Sequence, residues 1–269
     1  FSVGLNGVGT KAVNALSSYF RVVAIREGQY AEAIFEKGAL IKQKKGKSGK
    51  HKTGTLVEFR PDTEIFSDYH FNREFIEQRL WNYAYLNSGL TLAFDGQKFV
   101  SEKGLYDLLE REVGEEALYD IGYSRGKQIE MAFTHTGNYG ETYFSFVNGQ
   151  YTSDGGTHLS AFREGILKGV NEYYKKSFAG QDVREGVTGA IAVKLQSPIF
   201  ESQTKNKLGN TEVRSWIVSE VKDALVDYLH KNQGSAKKLE EKIVNNERLR
   251  KELNAVKKQA RDAAKKVSL

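Results

Sequence analysis

The sequence predicts an α+β protein, an α/β arrangement of helices layered on sheets. Three observations lead there. Segments that alternate apolar and polar residues recur beside segments with apolar residues every three or four positions. Only two prolines occur in 269 residues, so long regular elements run uninterrupted. From about residue 120 the order is strand, strand, helix, strand, helix, which fits a layered unit with its own core.

The elements follow in order. The chain opens FSVGLNGVGTKAVNALSSYF, with Gly4, Gly7 and Gly9 ahead of a helix expected over 11–19. Residues 21–26 and 30–35 read as two strands around Glu27–Gly28. Residues 40–52 carry six lysines and no acid, and read as a solvated loop. TGTLVEF at 53–59 is rich in β-formers and stops before Pro61. Apolar residues at 71, 75, 76, 80, 83 and 86 predict a helix. LTLAF–DG–QKFV predicts a hairpin that turns at Asp95–Gly96. Residues 103–113 form a second amphipathic helix. Strands are expected at 128–134 and 142–147, then a helix at 159–174 with Phe162, Ile166, Val170 and Tyr173 inward. Strand 187–195 alternates, with Val187, Ile191 and Val193 on one side, and a helix over 211–230 follows.

The last helix, 237–269, differs from the others. Leu239, Ile243, Leu249, Leu253 and Val256 make a stripe on an otherwise basic rod. It holds eleven of the 40 Lys and Arg but only five of the 34 Asp and Glu. The whole net charge of +6 therefore belongs to this one element. At about 1.5 Å per residue it is roughly 45 Å long, enough to project or to pair with another helix.

Composition excludes several classes. There is no cysteine, so disulfides and thiolate metal sites are absent. No stretch approaches the roughly 18 apolar residues of a membrane span. Histidines 51, 70, 135, 158 and 230 lack metal-ligand spacing, no serine elbow occurs, and no pair of carboxylates stands out as an acid–base couple.

Three segments carry chemistry. In GLNGVGTKAVNALS, glycines allow the backbone close to a ligand, and a helix N-terminus with free N–H groups follows. That is a phosphate cradle, or a plain turn into a helix. In SPIFESQTKNKLG, Gln203 and Lys205 flank Thr204 in a polar loop where a lysine reaches an anion as a mobile point charge. DGGTHLSAFREG places Thr157 as an N-cap, His158 as a structural side chain and Arg163 one turn on, where a surface salt bridge is its simplest role.

In fixed order, GLNGVGTKAVNALS, KTGTLVEFRP, DGGTHLSAFREG, DVREG and FESQTKNKLG resemble the ATPase subunit of bacterial type IIA DNA topoisomerases, the gyrase B and topoisomerase IV ParE type. The first segment is similar to the G-x-H-G-x-G box of the GHKL ATPases, with Asn6 where histidine is commoner. The resemblance covers nearly the whole chain, and the Asn and Lys of GLNGVGTK lean toward topoisomerase IV.

The resemblance implies that 1–110 is the C-terminal part of a GHKL ATPase domain. It implies a transducer domain with a left-handed βαβ crossover over 111–236, and a long basic helix over 237–269. Gly4, Leu5, Asn6, Gly7, Val8 and Gly9 would line the triphosphate of ATP. Thr55 would reach the adenine edge, Val57 would lie under the base, and Arg26 would border that pocket. Gln203 and Lys205 would contact the γ-phosphate, and Arg163 would couple hydrolysis to movement; these three form the catalytic set. The general-base glutamate and the asparagine that holds Mg2+ are expected upstream, so the chain alone is expected to be inactive. Implied partners are duplex DNA, a second copy on ATP binding, and a DNA-cleaving subunit of the gyrase A or ParC type in a heterotetramer. The setting implied is cytoplasmic, at the nucleoid, with no membrane. The competing readings are a non-catalytic dimerisation or DNA-binding module and another GHKL ATPase.

Overall fold

The structure, a computed structural model, describes residues 7–49 and 52–267, with the backbone alone for 262–267. The chain divides into two compact units, residues 2–76 and residues 77–269.

In the first unit, helix α1 (Val8–Ala15) starts on Gly7, which takes a left-handed φ of 59°. It is shorter than the expected 11–19. The Ser17 hydroxyl donates to the Val13 carbonyl and Ser17 already opens strand β1 (Ser17–Arg26). Strands β2 (Gln29–Glu36), β3 (Ala39–Lys47) and β4 (Gly54–Pro61) complete an antiparallel sheet in the order β3-β2-β1-β4. Phe20, 3% exposed, meets Phe35 edge to face at 6.2 Å.

Strand β3 corrects the loop expected at 40–52. Lys42 pairs with Ile34, Lys44 with Glu32 and Lys47 with Gln29. A sheet edge open to water on both faces accepts lysine at every position, so polarity does not preclude pairing. The hydrogen bonds to β2 decide the conformation.

Helix α2 (Arg73–Leu86) begins before the division, which falls at Ile76/Glu77, and leads in the second unit to the hairpin β5 (Leu92–Phe94) and β6 (Gln97–Phe99), which turns at Asp95–Gly96 as its sequence predicts. After α3 (Leu105–Val113) come β7 (Gly122–Arg125), β8 (Ile129–His135), β9 (Thr142–Val147) and β10 (Gln150–Tyr151). Then follow α4 (Thr157–Tyr174), α5 (Gly180–Arg184), β11 (Val187–Val193), α6 (Arg214–Lys231) and α7 (Gln233–Val267). The sheet order is β10-β9-β11-β8-β7. Strands β9 and β11 are parallel neighbours, joined by a crossover through α4 and α5.

Helices cover both faces of this sheet. Phe162, Ile166 and Val170 of α4, Ile217, Val221 and Leu225 of α6, and Leu239 and Ile243 of α7 pack with Val187, Ile191 and Val193. Glycines let α4 and α6 approach closely: a Cβ at Gly165 would stand 2.6 Å from that of Val221. On the other face Leu105, Leu108 and Leu109 of α3 join Tyr85, Ala132, Phe146 and Ala190. The compact division falls at Ile76/Glu77. Leucines of α3 have their burial on β8 and β11, so residues 77–110 belong to the second compact unit.

Candidate functional site

The sheet of the first unit brings three expected residues onto one face. In β1, Val22, Ala24 and Arg26 point to the same side, since side chains alternate along a strand. Val57 pairs with Val22 and Thr55 with Ala24, so both β4 side chains share that face. Val57 is 49% exposed and Thr55 is exposed. Arg26 is also exposed, and its Nε lies 3.1 Å from Glu27 Oε1.

Of the glycine-rich segment, Gly7, Val8 and Gly9 are described; Gly4, Leu5 and Asn6 lie outside the described residues. Gly7 occupies the N-cap of α1, and among the described residues no side-chain cap bond is made there. A Cβ at Gly7 or Gly9 would meet no described residue within 4 Å. Uncapped N–H groups at the positive end of a helix suit an anion. Among the described residues no group of three His, Asp or Glu side chains is placed to hold a metal ion. Mg2+ therefore receives no ligand set from them.

In the second unit two separately quoted segments come together. The 199–209 loop folds back on itself: Gly209 N donates to Ile199 O at 2.8 Å, and Glu201 N to Lys207 O at 3.1 Å. It is then stitched to the turn before α4. Asp154 N donates to Asn206 O, Leu208 N to Gly155 O and Thr157 N to Leu208 O, all at 3.0 to 3.1 Å. Gly156 makes this possible. Its φ is 122°, and a Cβ there would stand 2.4 Å from both Leu208 N and Leu208 O. The N-cap of α4 is Gly156 rather than Thr157, whose hydroxyl instead donates to Leu208 O at 3.4 Å. Thr157 is already the first helical residue.

Gln203 and Lys205 sit in the outer turn of this loop. Lys205 has a left-handed φ of 58°, and its N–H donates to Ser202 O at 3.0 Å. Gln203 is exposed and Lys205 half-buried. The neighbouring Lys207 is ion-paired with Glu201 at 3.0 Å.

Arg163 is held by a partner the sequence did not single out. Its Nε and Nη2 donate to the two oxygens of Glu141 at 2.9 and 2.8 Å. Glu141 also accepts from Arg184 Nε at 3.3 Å and from the Tyr143 hydroxyl at 2.7 Å. Burial pushes the Glu141 carboxyl up, but the Arg163 and Tyr143 hydrogen bonds outweigh it and hold the pKa below the usual value. The sequence signals for this cluster were Arg184 in DVREG and an acid one residue before a predicted strand.

His158 is structural, as expected. It is fully buried, with Nε2 3.0 Å from Thr152 Oγ1, and burial pushes its pKa down to about 4. His135 behaves alike: Tyr119 OH lies 2.6 Å from Nδ1, Nε2 lies 2.7 Å from Val183 O, and its pKa is about 4.

On the second unit α7 is latched to α5. Arg250 donates twice, at 2.7 Å, to Asp182 of α5, the aspartate of DVREG. Asn246 donates to the carbonyl of the same residue at 2.9 Å. Residues 251–261 beyond are all exposed.

A family described as DNA gyrase B matches residues 91–261. The whole chain is 52% identical over 269 residues to the B-type subunit of DNA topoisomerase 4 from Borreliella burgdorferi, covering 45% of that protein. It is 35% identical to DNA gyrase B of Thermotoga maritima, with 98% of the chain matched to 44% of the relative. The chain thus spans less than half the length of these relatives. Among solved structures, the ATPase domain of Thermus thermophilus gyrase B in complex with an aminocoumarin superposes with a TM-score of 0.78 at 31% identity. That match covers 94% of this chain and 75% of the other. The topoisomerase IV ATP-binding domain of Francisella tularensis gives 0.74 at 26% identity, covering 93% and 74%.

Proposed function

The chain belongs to the DNA gyrase B family, and we propose that it is the nucleotide-sensing ATPase and transducer part of an ATP-dependent type II DNA topoisomerase. The higher identity to the topoisomerase 4 relative than to the gyrase relative favours the topoisomerase IV type. In this reading residues 1–110 complete a GHKL ATPase domain, 111–236 form the transducer and 237–269 its long helix. The first turn of α1 after Gly7 and Gly9 holds phosphate oxygens of ATP, with Gly4, Leu5, Asn6 and Val8 in the same segment. Thr55 meets the adenine edge, Val57 lies under the base, and Arg26 borders the pocket. Mg2+, when bound, would offset phosphate charge; the described residues assign it no ligand.

The observation that carries the coupling is the stitching of the 199–209 loop to 154–157. Gln203 and Lys205 donate to the γ-phosphate, and that attraction ends when the phosphate leaves. Because the loop is bonded to the start of α4, its displacement moves α4 as a rigid rod. Arg163, on that helix, then strains or shifts its paired hydrogen bonds with Glu141. Two copies would close on ATP binding around a DNA duplex and act with a DNA-cleaving subunit. The basic residues 251–261 of α7 would lie beside that duplex.

Analytical ultracentrifugation of the whole subunit with a non-hydrolysable ATP analogue tests this. Nucleotide-dependent dimerisation is expected. Failure both to bind the analogue and to change association would overturn the proposal.

A further inference from the structure

The strand that replaced an expected loop carries an unassigned surface. Within β3, Lys42, Lys44, Lys45 and Lys47 fall in six residues, and every residue of the strand is exposed. Among the described residues these lysines have no acidic partner. The acid directly across the sheet from Lys44 is already engaged. Glu32, directly across from Lys44, is bound to Arg21 at 2.6 Å, and Glu58 also holds Arg21. The sheet order leaves β3 at the edge, so a row of backbone N–H groups also faces outward.

We propose that this edge of the first unit is a docking surface for duplex DNA, separate from the basic helix α7. The proposal rests on the topoisomerase reading for its choice of polyanion. The spacing supports it. Alternate residues of a strand lie about 6.6 Å apart on one face. Phosphates of each DNA strand advance about 3.4 Å per step along the duplex axis, so every second one advances about 6.8 Å. Lys42 and Lys44 share one face, and Lys45 and Lys47 the other. Each pair therefore matches alternate phosphates when the strand lies along the duplex. The plain alternative is that lysines guard a sheet edge against pairing with another strand. One charge accomplishes that; four uncompensated cations add a polyanion field.

The test is binding of a short labelled duplex to the 269-residue chain between about 50 and 200 mM salt. Three forms are compared with the parent: the four lysines of β3 replaced by Gln, the same four replaced by Arg, and Lys251, Lys257, Lys258 and Arg261 of α7 replaced by Gln. Each phosphate contact contributes about 0.9 to the slope of log affinity against log salt. The β3 Gln form is expected to lose roughly 2 to 4 from that slope, and the Arg form to keep the parent slope. If only the α7 form flattens the slope, the DNA reading stands and the β3 surface is wrong. If no form binds DNA, both fall. If the β3 Gln form only gains self-association, the lysines are an edge guard. If the Gln and Arg forms lose binding alike, strand integrity and not charge is responsible, and the proposal fails.

Discussion

A methyl group at position 156 would lie against the Leu208 backbone at 2.4 Å, and backbone cannot swing aside as a side chain does. Gly156→Ala is therefore expected to cost roughly 3 kcal/mol in urea unfolding. Gly149, with φ of 86° and nothing within 4 Å, is the comparison. Its alanine variant should cost only about 1 kcal/mol. The sequence made the two glycines before α4 legible as a turn. It did not reveal that one of them admits a loop from far along the chain, because that requirement is tertiary. The same limit hid Glu141 as the partner of Arg163. Histidines 135 and 158 yield a second expectation. Their folded pKa values, near 4, lie below the ordinary 6.5 because burial disfavours the charged ring. The unfolded chain thus takes up protons first as pH falls. Their contribution is complete above about pH 6.5 and is lost progressively toward pH 4, by up to roughly 3 kcal/mol each. Urea midpoints measured across that window should fall, and His158→Asn should make the fall shallower. A midpoint independent of pH would contradict the buried neutral rings.

Helices and strands were legible where one pattern dominated and both neighbours were local. The Asp95–Gly96 hairpin, the α4 stripe and the alternation of β11 read directly, because each element's own residues specify it. Strand β3 did not, since its only strand signal is hydrogen bonding to β2. The early end of α1 was hidden for a similar reason: pairing with β4 claims Ser17 for the sheet. The long final helix was legible as an object, but its anchor was not. Asp182, 2% exposed, takes both hydrogen bonds of Arg250, so removing the arginine strands a buried carboxylate. Arg250→Met is expected to lower the urea midpoint and to expose amides of α7 near residue 246 to hydrogen exchange. Arg248→Met, which loses only an exposed contact with Asn245, should change neither. Equal effects of the two variants would remove the latch.

For the whole molecule, the compact division differs from the division that the family resemblance implies. The units separate at Ile76/Glu77, while the family resemblance assigns ATPase-domain residues as far as 110. Helix α3 explains the offset, for its leucines are buried on the second sheet. A proposed nucleotide response then has a material route: a loop bonded to a helix start, a helix closely packed on α6, and α7 latched to α5 on the same body. The segment expected to open the triphosphate site, Gly4 to Asn6, lies outside the described residues, so the loop of the second unit offers the sharper test. Lys205 and Lys207 stand two residues apart in that loop, and Lys207 is committed to Glu201 at 3.0 Å. The decisive measurement is ATP turnover by the whole subunit carrying Lys205→Ala or Lys207→Ala. The expected result is a loss of roughly 10²-fold for Lys205→Ala and near-parent turnover for Lys207→Ala. Parent-like turnover by Lys205→Ala would contradict the assignment of this loop to the γ-phosphate.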